Sequence, residues 1–442
     1  MISETGKDHG GVLNQLVAGT WRHPLTAEIV RIPIPQIAIR DTLDGAEPGL
    51  LTSAGLAGKA LAVVSDRLTR DALGGRVVRN LQAAGFAIED VVWRNPVCSD
   101  AGVEALRALT RNAEALAAVG SGTINDSVKY AAFLDGKPFV TFPTSPMTAH
   151  FTGTASVSFG GFKKSLTTLD PLGVFADLEV IAAAPAQLIR AGYADVLCRT
   201  TAQVDWLLSH RLLDTFYSDT AYHLLAIDEA GLLAHADAVA AGDFAAIAAL
   251  TRMNALMGLG TSFGRTTHCG SMAEHMLSHY VDMFAGDDHP GSRHGEQVGV
   301  ATLVMNRLQH RILDRAAPPV LKPTVVDREA IEARFGKALA DACLEHFEVK
   351  RFDQPGIDRL NRRLAEGWEA LTRELRPLML DSAAIEHALR TVGAPVSGTD
   401  LGISSAFWRD AIRYARFTRD RFSMLDIAGD AGELDDFAES CS

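Results

Sequence analysis

The chain has 442 residues, too many for one ordinary hydrophobic core, so two domains are expected. Hydrophobic residues at 47% and charged residues at 22% fit a globular protein with sizeable cores. A net charge of -12 argues against a sequence-independent nucleic-acid binder, which needs clustered Lys and Arg to displace counterions, but leaves room for a small anionic ligand.

The first 55 residues carry little pattern. Within them "RIPIPQIAIRDTL" alternates like a strand, and its prolines confine that strand to a sheet edge. From Lys59 strand and helix alternate. "ALAVVSD" (Ala60–Asp66) predicts a strand, and "TRDALGGRVVRNLQAAG" a helix closing on Gly85. "DVVW" (Asp90–Trp93) predicts a second strand, and "DAGVEALRALTRN" a helix capped by Asp100. "ALAAVGSGT" (Ala115–Thr123) is a third strand breaking into glycines, with a helix from about Asn125. "PFVTFPTS" (Pro138–Ser145) is a fourth strand. Short connections between alternating elements predict a parallel sheet with helices on both faces. After about Pro185 apolar residues recur every three or four positions to the end. The expected organisation is an α/β dinucleotide-binding domain over 1–184, with 1–55 as an extra segment, and an all-helical domain over 185–442.

Five scattered cysteines without a CxxC pair read as free thiols in a reducing compartment. The N-terminus lacks the layout of a signal peptide, and no apolar run reaches about 18 residues. The expected location is the cytoplasm, with no membrane partner.

Three segments carry chemistry. Gly120, Ser121 and Gly122 stand between a strand and a helix, where small residues let a ligand approach the backbone and the helix N-terminus favours a phosphate. A tight turn with nothing bound has the same sequence. Asp126, just inside that helix, suits an oriented polar role such as holding the loop. Asp66 ends the first strand and could accept hydrogen bonds from a ribose, or cap the next helix. The hydroxyl-rich "TFPTSPMTAHFTGTAS" (Thr141–Ser156) could wrap a pyrophosphate or nicotinamide, or be an ordinary loop. Finally, five of the 14 histidines fall between His268 and His294. His275 and His279 are four apart, on one helical face. His294 begins a further helix beyond a Gly- and Asp-rich loop. Two imidazoles and a carboxylate would hold Zn²⁺ or Fe²⁺ with a position open for substrate, and Asp195, an odd carboxylate in an apolar stretch, is the candidate third ligand. A pair of partly buried histidines is the alternative. His289 reads as a solvated loop residue, His268 as part of a pocket wall, and Cys269 as a soft ligand without a motif.

In this order, "GSGTINDSVKYAA", "PFVTFPTSP", "AGYADVL", "GSMAEHMLSHYVDM", "HGEQVGVAT" and "RDRFSMLDIAGDAG" resemble the motifs of the iron-containing (group III) alcohol dehydrogenase superfamily, on its glycerol-1-phosphate dehydrogenase-like branch. The resemblance covers roughly Lys59 to Gly432. It implies a dehydroquinate synthase-like fold, with a Rossmann-like NAD(P) domain and an all-α metal domain. It implies one divalent metal on Asp195, His275 and His294, and substrate contact from Asp195 and His279. NAD or NADP would lie on Gly120, Ser121, Gly122 and Thr123, with Thr144 and Met147 adding contacts, and Asp66, Asp126 and Thr141 complete the cofactor set. Where the family pattern has an Asp-Gly pair whose Asp contacts substrate, this chain has Ala149 and His150. His150 is therefore the candidate replacement, and the expected substrate is the wider class of polyols and polyol phosphates.

The expected reaction is reversible hydride transfer between a nicotinamide and a small alcohol or carbonyl, with the metal as Lewis acid and His279 relaying a proton. Lys163, Lys164 and Arg293 are candidate phosphate contacts. Two other readings remain: a sugar-phosphate cyclase of the dehydroquinate synthase type, and a non-catalytic nucleotide-binding homologue. A homo-oligomer stays open.

Overall fold

The computed structural model describes residues 6–264 and 266–441. Eight strands fall in the first part of the chain: β1 (Ile37–Arg40), β2 (Leu61–Ser65), β3 (Ile88–Val92), β4 (Ala115–Gly120), β5 (Phe139–Pro143), β6 (Thr154–Phe159), β7 (Phe162–Thr167) and β8 (Val174–Asp177). Six form one parallel sheet in the order β1-β8-β5-β4-β2-β3, while β6 and β7 make a separate antiparallel hairpin.

The central strands are buried on both faces, which is why they read as continuous apolar runs. The two-residue side-chain period sorts them onto two cores. Leu61, Val63, Ala115, Ala117, Val119, Val140 and Phe142 face one, and Ala62, Val64, Leu116, Ala118 and Phe139 face the other. β1 is an edge strand, as Pro33 and Pro35 just before it predict.

Three local details differ from expectation. The helical stretch after β2 contains a π-helical turn at Arg70–Gly74, and it closes with Gly85 in the left-handed region at φ 85°. The next helix is capped by Ser99, whose hydroxyl accepts from Gly102 N at 3.1 Å, so Asp100 is its first helical residue and not its cap. The helix after β4 starts at Gly122, three residues before Asn125, so the glycine turn forms its first turn.

Contacts group the chain into two compact units: Met1–Gly192 with Asp219–Thr266, and Tyr193–Ser218 with Thr267–Ser442. The described residues after Asp177 hold helices and no strand. The grouping is less simple than a cut near residue 185, because the helices Thr220–Ala234 and Phe244–Gly264 pack in the first unit. Steric fit places the second of these. Gly258 lets it lie against the Thr148–Phe151 turn, where a Cβ would come within 2.6 Å of Thr148 O and 2.9 Å of Phe151 Cβ. Thr148 Oγ1 donates to Asn254 Oδ1 at 3.1 Å, and Thr152 and Thr261 share a hydroxyl bond at 2.6 Å. Gly258→Ala is expected to cost about 1–3 kcal/mol by overpacking, read as a lower midpoint in a urea melt.

The second unit contains buried ion pairs. Lys350 Nζ meets Asp426 at 3.1 Å, and Arg416 reaches Asp430 at 2.8 Å. No described helix is long and apolar enough to cross a membrane.

Candidate active site: a nucleotide turn and a metal centre

In the first unit the sheet order reverses between β2 and β4: the chain goes outward to β3 after β2, then the opposite way to β5 after β4. Ligands of open α/β sheets bind beyond the carboxyl ends of the strands at such a point. Those ends are Ser65–Asp66 and Gly120–Ser121. Ser121 is extended and caps the Gly122–Asp135 helix with its backbone only, so its hydroxyl leaves the first-turn amides to a ligand. A Cβ on Gly120 would press on Ile124 Cβ at 2.8 Å, and one on Gly122 would stand 3.7 Å from Met147 Cε. Thr144 N donates to Gly120 O at 3.1 Å. Gly120, Ser121, Gly122, Thr123, Thr144 and Met147 are thus brought together. Asp66 is at the same crevice, where its Oδ1 caps the next helix by accepting from Thr69 N at 2.8 Å. Ser145, beside Thr144, was not foreseen; its fully buried hydroxyl has no partner among the described residues.

Three expected ligand contacts take other places. Asp126 is a brace: Oδ2 accepts from Ser156 N at 3.0 Å and Oδ1 from Lys129 Nζ at 3.3 Å. Thr141 and His150 are corrected to a core pair. Both have no solvent-accessible surface, and Thr141 Oγ1 bonds His150 Nδ1 at 2.8 Å. Burial, with Lys129 nearby, lowers the His150 pKa to about 3, so its ring is neutral and out of a ligand's reach.

The metal centre lies in the second unit. Asp195 is in the last turn of the helix Ala186–Val196, His275 in the first turn of Ala273–Phe284, and His294 opens His294–Leu313. Their ligand atoms all fall within 4.8 Å of one another, and His275 Nε2 is 3.9 Å from Asp195 Oδ1.

Neighbours fix which ring nitrogen faces the centre. His275 Nδ1 donates to Glu274 Oε1 at 3.0 Å, which leaves Nε2 as its lone-pair atom. Ser278 spends its only proton on Gln297 Oε1 at 2.8 Å, so it accepts from His294 Nδ1 at 2.9 Å. The Gln297 amide is itself turned by a bond from Nε2 to Ser292 Oγ at 3.1 Å. Both imidazoles therefore present Nε2 with its lone pair, the state a metal needs. Two neutral imidazoles and a carboxylate fit Zn²⁺ or Fe²⁺. Ser278→Ala should weaken metal affinity about 10- to 100-fold by freeing the His294 tautomer, measured by competition with a chromogenic chelator.

His279 borders the centre, its ring 6.2 Å from His275 and 5.8 Å from His294. His289 is not merely solvated, since its Nε2 meets Asp282 Oδ1 at 3.3 Å. Cys269 is a buried thiol pushed up to about 12, unsuited to be a soft ligand. Cys198 is the cysteine near Glu274 and His275, and its Sγ donates to Gly270 O at 3.3 Å. Lys164 lies over the rings of Phe159 and Phe162 in the β6–β7 hairpin, and Arg293 is exposed at the N-cap of the His294 helix. Of this environment the sequence reading missed Glu274, Ser278 and Gln297. Their spacing, Ser278 three after His275 and Gln297 three after His294, places them on the faces of the ligands.

Comparison with known proteins supplies the class. Residues 39–185 match the family model described as iron-containing alcohol dehydrogenase. The chain is 30% identical over 303 residues to the glycerol-1-phosphate dehydrogenase [NAD(P)+] of Pyrococcus furiosus, covering 66% of this chain and 85% of that protein. It is 29% identical over 425 residues to the Bacillus licheniformis protein of the same name, covering 94% and 92%. Its fold is similar to that of an NADH-dependent butanol dehydrogenase from Thermotoga maritima, with TM-score 0.63 and 15% identity over 93% of this chain and 98% of that one. The chain belongs to the iron-containing alcohol dehydrogenase superfamily, in its glycerol-1-phosphate dehydrogenase-like branch.

Proposed function

We propose that the protein is a metal-dependent, NAD(P)-linked dehydrogenase that interconverts a polyol or polyol phosphate and its carbonyl form by hydride transfer. The observation that carries this reading is the Asp195–His275–His294 centre with both Nε2 atoms held ready by their neighbours. Membership of a dehydrogenase family supports it.

Asp195, His275 and His294 hold the metal. Bound there, it supplies Lewis acidity toward the alcohol or carbonyl oxygen. His279, at the edge of the centre, relays the hydroxyl proton. The first-turn amides of the Gly122 helix take the pyrophosphate, with Thr144 and Met147 beside them. Asp66 accepts from the ribose hydroxyls and disfavours a 2′-phosphate, so NAD is preferred over NADP. The residues now given to the cofactor are Asp66, Gly120, Ser121, Gly122, Thr123, Thr144 and Met147. The substrate is a small molecule, and the enzyme works in the cytoplasm.

The test is a panel of glycerol, its two phosphates and simple aldehydes, run with protein stripped by chelator and reloaded with Zn²⁺ or Fe²⁺. Expected is net NADH, one per carbonyl formed, only in reloaded protein. Equal turnover in stripped protein would falsify the role of the centre. Turnover without net NADH would point to a cyclase, which recycles its nucleotide.

A further inference from the structure

We propose that Arg421, with Arg419 beside it, seats the phosphate of a phosphorylated polyol at the N-terminal end of the His275 helix. This rests on the dehydrogenase reading and adds to it the part of the site that recognises a phosphorylated substrate.

Both guanidinium groups converge on the residue that precedes the helix cap. Arg421 donates to Ser271 O and Thr267 Oγ1, and Arg419 donates to Ser271 Oγ at 3.0 Å. Arg421 is 8% exposed. Its Nε is buried with no hydrogen-bond partner. The buried cations Lys129, Lys350 and Arg416, by contrast, each rest on a carboxylate, at 3.3, 3.1 and 2.8 Å. Among the described residues no carboxylate stands within ion-pair distance of Arg421. Glu274 and Asp420 reach it only through longer-range attraction. Glu274 is committed elsewhere, accepting from Met272 N at 2.6 Å, His275 Nδ1 at 3.0 Å and Thr201 Oγ1 at 3.3 Å.

A buried cation facing neutral acceptors, next to a second cation, is an electrostatic cost that a dianion removes. The repulsion is visible in Arg419, whose pKa falls to about 9 through burial and then Arg421. His268 is half-buried, and desolvation together with both arginines holds it neutral. The 12-residue Ala273–Phe284 helix adds its positive end, since Met272 gives it no side-chain cap.

Position along the chain decides what kind of anion fits. Ser271 immediately precedes the N-cap of the helix whose first turn carries the metal ligand His275. An anion seated there lies at the same helix end as the metal ligand, as the phosphate of a short polyol phosphate requires. Arg421 also has the planar fork that binds phosphate in two bonds, which Lys cannot copy.

The experiment uses metal-loaded full-length protein and the variants Arg421→Gln, Arg421→Lys and Arg419→Gln, with metal content assayed in each. With glycerol 1-phosphate, Arg421→Gln is expected to raise KM about 100-fold, while kcat/KM for glycerol changes less than about 3-fold. Arg421→Lys should be intermediate, and it keeps the test open if the glutamine variant does not fold. Calorimetric titration with inorganic phosphate should show binding to the wild type and none to Arg421→Gln, a readout independent of turnover. Parallel losses with both substrates, together with metal loss, would make Arg421 a brace of the 267–271 turn and overturn the proposal. Unchanged phosphate binding in Arg421→Gln would do the same. Phosphate binding lost in that variant while the wild type shows no dehydrogenase activity would uphold the seat and defeat the functional reading instead.

Discussion

Replacing His294 by alanine is expected to release the divalent metal and lower kcat/KM by about 10³-fold with the fold intact. Lewis-acid stabilisation of a developing alkoxide is worth several kcal/mol, and roughly 4 kcal/mol corresponds to that factor. Of the three ligands His294 isolates this effect best. It is the first residue of a 20-residue helix, where alanine is well tolerated. Its partner Ser278 keeps the bond to Gln297 Oε1 at 2.8 Å, so no buried charge is stranded. His275→Ala would instead take a donor from Glu274, which is fully buried and ionisable, and mix unfolding with metal loss. Metal per chain by atomic emission, a thermal melt and steady-state rates read the three outcomes separately. A His294→Ala protein that keeps one tightly held metal and full activity would remove His294 from the ligand set.

How much of this was legible in the sequence depends on whether a feature is set by near or distant residues. β2, β4 and β5 are mostly apolar runs of five or six residues, so that they are strands is legible from their own residues. The edge position of β1 was equally legible, because proline chemistry is local. β8 was missed: "VFAD" is four residues long, and its place between β1 and β5 depends on pairings more than 30 residues apart. Helical periodicity likewise says where Phe244–Gly264 forms but not which unit it joins; distant contacts such as Gly258 against the Thr148 turn and Thr261 with Thr152 settle that. In the site, the metal ligands were legible because imidazole and carboxylate have few other reasons to gather. His150 was misplaced because sequence puts it in a hydroxyl-rich loop. Its burial follows from the bond to Thr141, in a strand nine residues earlier.

The second large effect expected lies under the nucleotide turn. Lys129→Met should destabilise the protein by about 3–5 kcal/mol, the usual cost of stranding one member of a buried ion pair. The ammonium has no exposed surface and donates to Ala149 O at 2.7 Å, Thr154 O at 2.9 Å and Asp126 Oδ1 at 3.3 Å. It thereby ties the Gly122 helix to the middle of the loop between β5 and β6 and to the start of β6. Methionine fills the stem's volume, so the loss is electrostatic rather than a cavity. Ala149 O retains the Asn125 Nδ2 bond at 2.8 Å, which makes Asp126 the costly remainder. Neutralising that residue should therefore recover stability: Asp126→Asn with Lys129→Met should be less destabilised than Lys129→Met alone by about 1–3 kcal/mol. With about 2–4 °C per kcal/mol for a unit of this size, the single variant should lose roughly 10 °C in Tm. The same loosening frees the Thr148–Phe151 turn and with it Met147, so the KM for NAD should rise while metal content stays at the wild-type level. That split separates the two units' roles: strictly additive stabilities in the cycle would show that Lys129 and Asp126 do not act as a pair, and equal loss of metal would place the effect outside the nucleotide turn.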